Sequence, residues 1–179
     1  MKNDYKIVGD KVILFVNNKG ETLEAIISID KLELVKSFKN TWYASKCSTR
    51  HGYYVTGHIT IDGKPKNLLL HRFIMDVKES DVEVDHYDNN PLNNTNENLR
   101  LVSREQNLQN RTIQSNNTSG YRGVSFHKRK NKWQASVKEN GGKQKYLGIF
   151  ETAEEANEAV VKWRKDNYPF SKEANEVIV

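Results

Sequence analysis

The stretch DNNPLNNTNEN (88–98) carries six asparagines and almost no apolar side chains. It has too little to bury to be a core element, and asparagines in such a run serve turns and loops. Two short β-prone runs bracket it, VEVDHY (82–87) and LRLV (99–102). Ser103-Arg-Glu-Gln106 follows with the capping-box pattern, Ser103 as N-cap and Gln106 at N3. A helix is expected over about residues 104–111. The order is therefore strand, polar loop, strand, helix within about thirty residues.

The flanks of this unit are different in kind. YKIVGDKVILFV (5–16) contains two β-prone runs split by Gly9-Asp10, a hairpin signal, and Asn17 to Gly20 reads as a turn. LEAIISI (23–29) reads as a further strand, and KLELVKSF after Asp30 as a short helix. Residues 53–61 and 66–74 flank Asp62-Gly63, the strongest short hairpin signal in the chain, and end in a helix-like piece around His71–Met75. Beyond the unit, TIQSNNTSG (112–120) is a small-residue linker. YRGVSFHKR, KWQASVKEN and QKYLGIF then read as three strands, with Asn140-Gly141-Gly142 as the turn before the last. Thr152 and Glu155 form a second capping box, opening a helix with Ala153, Ala156, Ala159, Val160 and Trp163 on one face. The expected fold class is α+β: a strand-rich region over 1–66, a core over 67–111, a linker over 112–120, a three-stranded antiparallel sheet on one helix over 121–170, and a tail over 171–179.

Charge is concentrated in the middle of the chain. The net charge is +5, yet residues 100–150 hold eleven Lys and Arg against only Glu105 and Glu139. Such a block favours a polyanion, through phosphate neutralisation and counterion release. Cys47 is the single cysteine, which leaves no internal disulfide partner and no Cys-pair zinc site. No secretory signal or transmembrane run is read from the sequence, and a cytoplasmic setting is expected.

Phosphodiester hydrolysis needs a base to activate water and a cation to stabilise the phosphate. Imidazole, whose ordinary pKa is about 6.5, suits a base near neutral pH. Carboxylate and amide oxygens suit a hard cation such as Mg²⁺. LHRFIM (70–75) followed by VDHYDNNPLNNTNENLRLVSREQNLQNR (84–111) resembles the HNH, or ββα-metal, nuclease family over about forty residues. The resemblance implies His86 as general base, Asp85 and Asn107 as ligands of one Mg²⁺ or Mn²⁺ ion, and Asn98 as the residue that fixes the loop. It implies for His71 either phosphate contact or a supporting or structural role. Asn at 107, where the commonest form has His, resembles the phage intron-encoded subgroup.

Residues 119–168 resemble the plant Apetala-type, or ethylene-response-factor, DNA-binding domain, through YRGV (121–124), KWQASV (132–137), YLGIF (146–150) and TAEEANEAVVKW (152–163). A groove-reading sheet is what that resemblance implies, with Arg122, Ser125, His127, Arg129, Trp133, Ser136, Lys138, Gln144 and Tyr146 as outward candidates and Arg111 as a further contact. For Trp133 a core position is the favoured expectation over stacking on DNA, since a Trp in a short strand more often packs inward. Lys64, Lys66 and Arg72 are candidates for backbone contact in the N-terminal region. The resulting expectation is a homing-type endonuclease, monomeric and nicking double-stranded DNA in a bacterial or phage-infected cell. Its rivals are a DNA-binding regulator with an inactive nuclease core and an RNA-processing nuclease.

Overall fold

The computed structural model describes residues 1–47, 52–111, 113, 116–139 and 142–172. The chain divides into two compact units, Met1–Ser103 and Arg104–Val179. The division falls ahead of the small-residue stretch at 112–120. Each unit mixes strands and helices, and strands predominate over the chain as a whole, as the sequence led us to expect.

In the first unit, β1 (Tyr5–Val8) and β2 (Lys11–Asn18) form the hairpin about Gly9-Asp10. β2 turns back into β3 (Glu21–Ser28). Val12, Leu14 and Val16 are fully buried, and so are Ile27 and Ala25, the cross-strand partners of Val12 and Leu14. Alternation along the strands thus puts their apolar side chains on one face. A 3₁₀ turn at Ile29–Lys31 leads to α1 (Leu32–Ser37), which buries Leu32 and Val35. β4 (Trp42–Lys46), for which no strand was expected, pairs antiparallel with β5 (Tyr53–Ile61). β5 pairs with β6 (Lys64–Leu69) across Asp62-Gly63, and α2 (Leu70–Ile74) follows directly. Trp42 is fully buried, with Phe38 at 4.2 Å and Phe73 at 5.5 Å between ring centroids. β5 must pass this cluster as Gly57, because a Cβ there would lie 2.5 Å from the Phe38 ring.

The strand–loop–strand of the polar segment is present. β7 (Val82–His86) and β9 (Leu99–Ser103) pair antiparallel, with Asp85 opposite Arg100 and His86 opposite Leu99. Between them lies a two-residue strand that the polar run does not announce, β8 (Asn93–Asn94). It pairs parallel with β3, Asn93 beside Ile26 and Asn94 beside Ile27, and the Ile26 amide donates to the Leu92 carbonyl at 2.8 Å. Among the described residues the sheet order is β6-β5-β4-β2-β3-β8, with β1 alongside β2.

The second unit opens with α3 (Arg104–Gln109), immediately after Ser103. β10 (Val124–His127), β11 (Lys132–Lys138) and β12 (Gln144–Phe150) form the expected antiparallel sheet, and α4 (Ala153–Asn167) covers one face. Val124, Ala135 and Val137 pack with Ala153, Ala156 and Val160. The helix starts at the expected capping box: the Glu155 amide donates to Thr152 Oγ1 at 3.2 Å and the Thr152 amide to Glu155 Oε2 at 3.4 Å. Gly123 has φ of +89°, and a Cβ there would sit 2.6 Å from the Ser136 carbonyl oxygen. The glycine of the YRGV stretch is thus demanded by a close backbone approach, in which the Ser136 amide donates to Gly123 O at 2.8 Å. Asn140 and Gly141 of the expected turn, residues 112, 114 and 115 of the expected linker, and 173–179 of the expected tail lie outside the described residues.

Candidate active site

The Asn-rich loop is held by its own amides. Asn98 is buried; its Oδ1 accepts from the Asp88 amide at 2.9 Å, and its Nδ2 donates to Asp88 Oδ1 at 2.9 Å and to the Asn93 carbonyl at 2.7 Å. Asp88 also accepts from the Asn90 amide at 2.7 Å and from Asn93 Nδ2 at 2.8 Å. Asn96 ties the loop to the strand end, its amide donating to Ser28 Oγ and its Nδ2 to Asp30 Oδ1, each at 2.9 Å. That side-chain bond from Asn96 is the main reason the Asp30 carboxyl is held below its usual range.

At the end of β7, Asp85 and His86 are both buried. Neighbouring strand residues face opposite ways, and their partners differ accordingly. Asp85 Oδ2 accepts from Arg100 Nε at 3.0 Å and Nη2 at 2.8 Å, across the hairpin, and Arg100 lies over the Tyr87 ring at 5.1 Å. His86 places Nε2 at 3.3 Å from Asn94 Oδ1. The His71 ring from α2 meets the His86 ring edge-on at 5.0 Å, and Tyr54 of β5 lies 5.4 Å from His71 and 6.2 Å from His86, all between centroids. Burial pushes His71 down from 6.5 to about 3, and the charges of His86 and Arg72 push the same way. Arg72 itself donates to the Val82 and Glu79 carbonyls, which tethers the chain entering β7.

The first unit thus brings together His71, His86 and the loop fixed by Asn98, and adds three residues that sequence reasoning did not single out: Tyr54, Asn94 and Arg100. Asn107 and Arg111 belong to the second unit, Asn107 half-buried within α3 and Arg111 exposed just beyond it. In that unit Arg122 is turned onto the end of α3. Its Nη1 donates to the Gln109 and Arg111 carbonyls at 2.7 and 2.8 Å, and its Nη2 to Leu108 O at 3.1 Å. A guanidinium so placed satisfies carbonyls that a helix leaves unpaired at its C-terminus. Trp133 packs against the core cluster with Ala135 and Val137, its ring 5.1 Å from Phe126. The opposite, helix-free face follows from the register, which pairs Ser125 with Gln134, Ser136 with Tyr146 and Lys138 with Gln144. Gln144 Nε2 donates to Ser136 Oγ at 3.1 Å, and Lys138 and Tyr146 are exposed. His127 lies at the end of β10, and Arg129 is exposed in the turn after it.

A buried Asp-His pair at the end of a β-hairpin strand, with a long amide-locked loop inside the hairpin, is the arrangement that the resemblance to the ββα-metal nucleases leads one to expect. The family described as HNH endonuclease matches residues 76–109, the segment just built. A mimivirus protein from Acanthamoeba polyphaga mimivirus, described as an uncharacterized HNH endonuclease, is 37% identical over 144 residues, covering 78% of this chain and 68% of that relative. Protein 3.8 of Escherichia phage T7 is 40% identical over 58 residues, 32% of this chain and 48% of the phage protein. No solved structure matches the chain. The chain belongs to the HNH endonuclease family, and its class is nuclease. Among the described residues, no helix is long and apolar enough to cross a membrane.

Proposed function

We propose that the protein is a site-directed, homing-type DNA endonuclease that hydrolyses phosphodiester bonds with one divalent metal ion. The observation that carries this is the buried His86 at the end of β7, beside Asp85 and between Asn94 and His71. His86 takes a proton from a water molecule as that water attacks phosphorus; a P–O bond forms and the P–O bond to the leaving sugar oxygen breaks. Asp85 and Asn107 would hold the Mg²⁺ or Mn²⁺ ion. Their oxygens are donors that such a cation accepts. Arg100 engages Oδ2 of Asp85 from across the hairpin. Among the described residues no three His, Cys, Asp or Glu side chains cluster. When bound, the ion supplies charge neutralisation at the scissile phosphate.

The second unit reads duplex DNA in this proposal, as an Apetala-type module. Its helix-free sheet face and adjoining turn offer His127, Arg129, Lys138, Gln144 and Tyr146 to the groove and backbone, with Arg111 as a further phosphate contact. Two DNA-binding parts on one chain raise effective concentration and lengthen the recognised site. A monomer with one site nicks. The phage T7 relative suits action in the cytoplasm of a bacterial or phage-infected cell. The second reading, a DNA-binding regulator with an inactive nuclease core, draws on the Asp85–Arg100 pair, which satisfies part of the carboxylate without any metal.

A plasmid library incubated with the protein and Mg²⁺ or Mn²⁺, with both strands labelled, tests the proposal. Wild type cuts, chelation stops the cutting, and His86→Ala binds DNA but cuts at least about 100-fold more slowly. Cutting by His86→Ala at the wild-type rate refutes the base assignment. Tight binding by wild type with no metal-dependent cutting of any member favours the regulator.

A further inference from the structure

We infer that Asn94 is a positioning residue for His86: it holds the imidazole in the tautomer that carries its proton on Nε2 and its lone pair on Nδ1. The inference rests on His86 being the base. Asn94 is fully buried, and its side-chain amide spans two partners, His86 Nε2 at 3.3 Å and the Pro91 carbonyl at 3.2 Å. The Pro91 carbonyl can only accept, so the amide NH₂ must face it. Oδ1 is then the end that faces His86, and Oδ1 can only accept. A neutral imidazole has one N–H and one lone-pair nitrogen, so the N–H is at Nε2 and the lone pair at Nδ1.

The backbone gives this amide a fixed seat. Asn94 sits in β8, in register with Ile27 of β3, so the large sheet carries it. His71 closes one side of the ring edge-on at 5.0 Å, from α2, an element independent of the loop. The imidazole is therefore bounded by Asn94 at Nε2 and by His71 across its plane. A base must meet its water in one geometry, and a ring free to exchange tautomers presents the lone pair at the wrong atom part of the time. Asn98, the asparagine that the family resemblance emphasises, bonds Asp88 and Asn93 instead.

Nitrogen-15 NMR of the full-length protein, above about pH 8 where an imidazole is neutral, tests this together with single-turnover cleavage at saturating DNA. Wild-type His86 should show the Nε2–H signature. Asn94→Leu, which keeps bulk and removes the acceptor, should show mixed or Nδ1–H signals. It should also cut about 10- to 100-fold more slowly with DNA affinity unchanged. A wild-type Nδ1–H signature overturns the inference whether or not the variant folds. A slow variant that keeps the Nε2–H signature also overturns it, because Asn94 would then act on the loop rather than on the ring. Failure of the underlying reading looks different: His86→Ala would still cut. If His86→Ala is inactive while Asn94→Leu matches wild type in signature and rate, only the role of Asn94 falls.

Discussion

His71 is an imidazole that the fold keeps uncharged. Its pKa falls from 6.5 to about 3, chiefly through burial, with repulsion from His86 and Arg72 added. The unfolded chain binds a proton at this residue below about pH 6.5, whereas the folded chain does so only near pH 3. The stability it contributes is thus fully present above pH 6.5 and is lost as pH falls toward 3. This one group should add a slope of about 1.4 kcal/mol per pH unit in that window. Urea denaturation at several acidic pH values, compared with His71→Leu, measures it. The variant should lose stability less steeply on acidification. Parallel pH dependences for the two proteins would show that His71 is not the group responsible. The role of the residue separates from that of His86, which faces the same aromatic neighbour, Tyr54.

At the level of elements, the loop of residues 88–98 is a rigid part built from polar side chains, and Asn98 holds most of it. One buried amide makes three hydrogen bonds within it, two to Asp88 and one to the Asn93 carbonyl. Asn98→Ala should cost about 1–3 kcal/mol, because the groups left behind are desolvated without a partner. It should also slow cleavage by loosening the seat of Asn94. Thermal unfolding and single-turnover rates check both effects, and an unchanged melting temperature would mean that the loop is held elsewhere. Much of this architecture was legible in the sequence. Turn residues at Gly9-Asp10 and Asp62-Gly63, the alternation in β2 and the capping box at Thr152 each act over a few residues, so local pattern announces them. β4 was missed because WYASK mixes Ala, Ser and Lys with its two aromatics and so gives no dense β-prone run, although Trp42 and Ala44 do alternate inward. β8 has no local signal at all: two asparagines become a strand only because β3 lies beside them. The site divides along the same line. The family resemblance led to Asp85, His86 and Asn98 as candidates, but nothing local distinguished Asn94 from its neighbours as the one that reaches His86. The Asp85–Arg100 pair needed the hairpin register, and the turn of Arg122 onto the α3 carbonyls needed the path of the chain between them. The core position favoured for Trp133 agrees with its packing, and parity supports it, since it shares its face with the buried Ala135 and Val137.

For the whole molecule, the basic block between residues 100 and 150 is not one surface with one role. Arg100 is paired with Asp85, Arg122 with the backbone at the end of α3, and Lys145 with Glu139, while Lys132 bonds Glu151. Arg129 and Lys138 are exposed, in the turn after β10 and on the helix-free face. Only cations that neutralise phosphates release counterions and set the salt dependence of binding, by about 0.9 in log–log slope for each phosphate on duplex DNA. Under the proposed function, Arg129→Ala with Lys138→Ala should therefore flatten that slope by roughly 2 while leaving thermal stability nearly unchanged. Arg122→Ala should do the reverse. Removing its guanidinium strips three backbone carbonyls of a charge-assisted donor, so the second unit should lose about 1–3 kcal/mol with the salt slope little changed for the protein that remains folded. Fluorescence anisotropy on labelled duplex from low to moderate salt, alongside calorimetric unfolding of each variant, separates the two outcomes. If Arg122→Ala flattens the slope and the double variant does not, DNA is bound on the α3 side of the second unit, and the helix-free sheet face is not the reader.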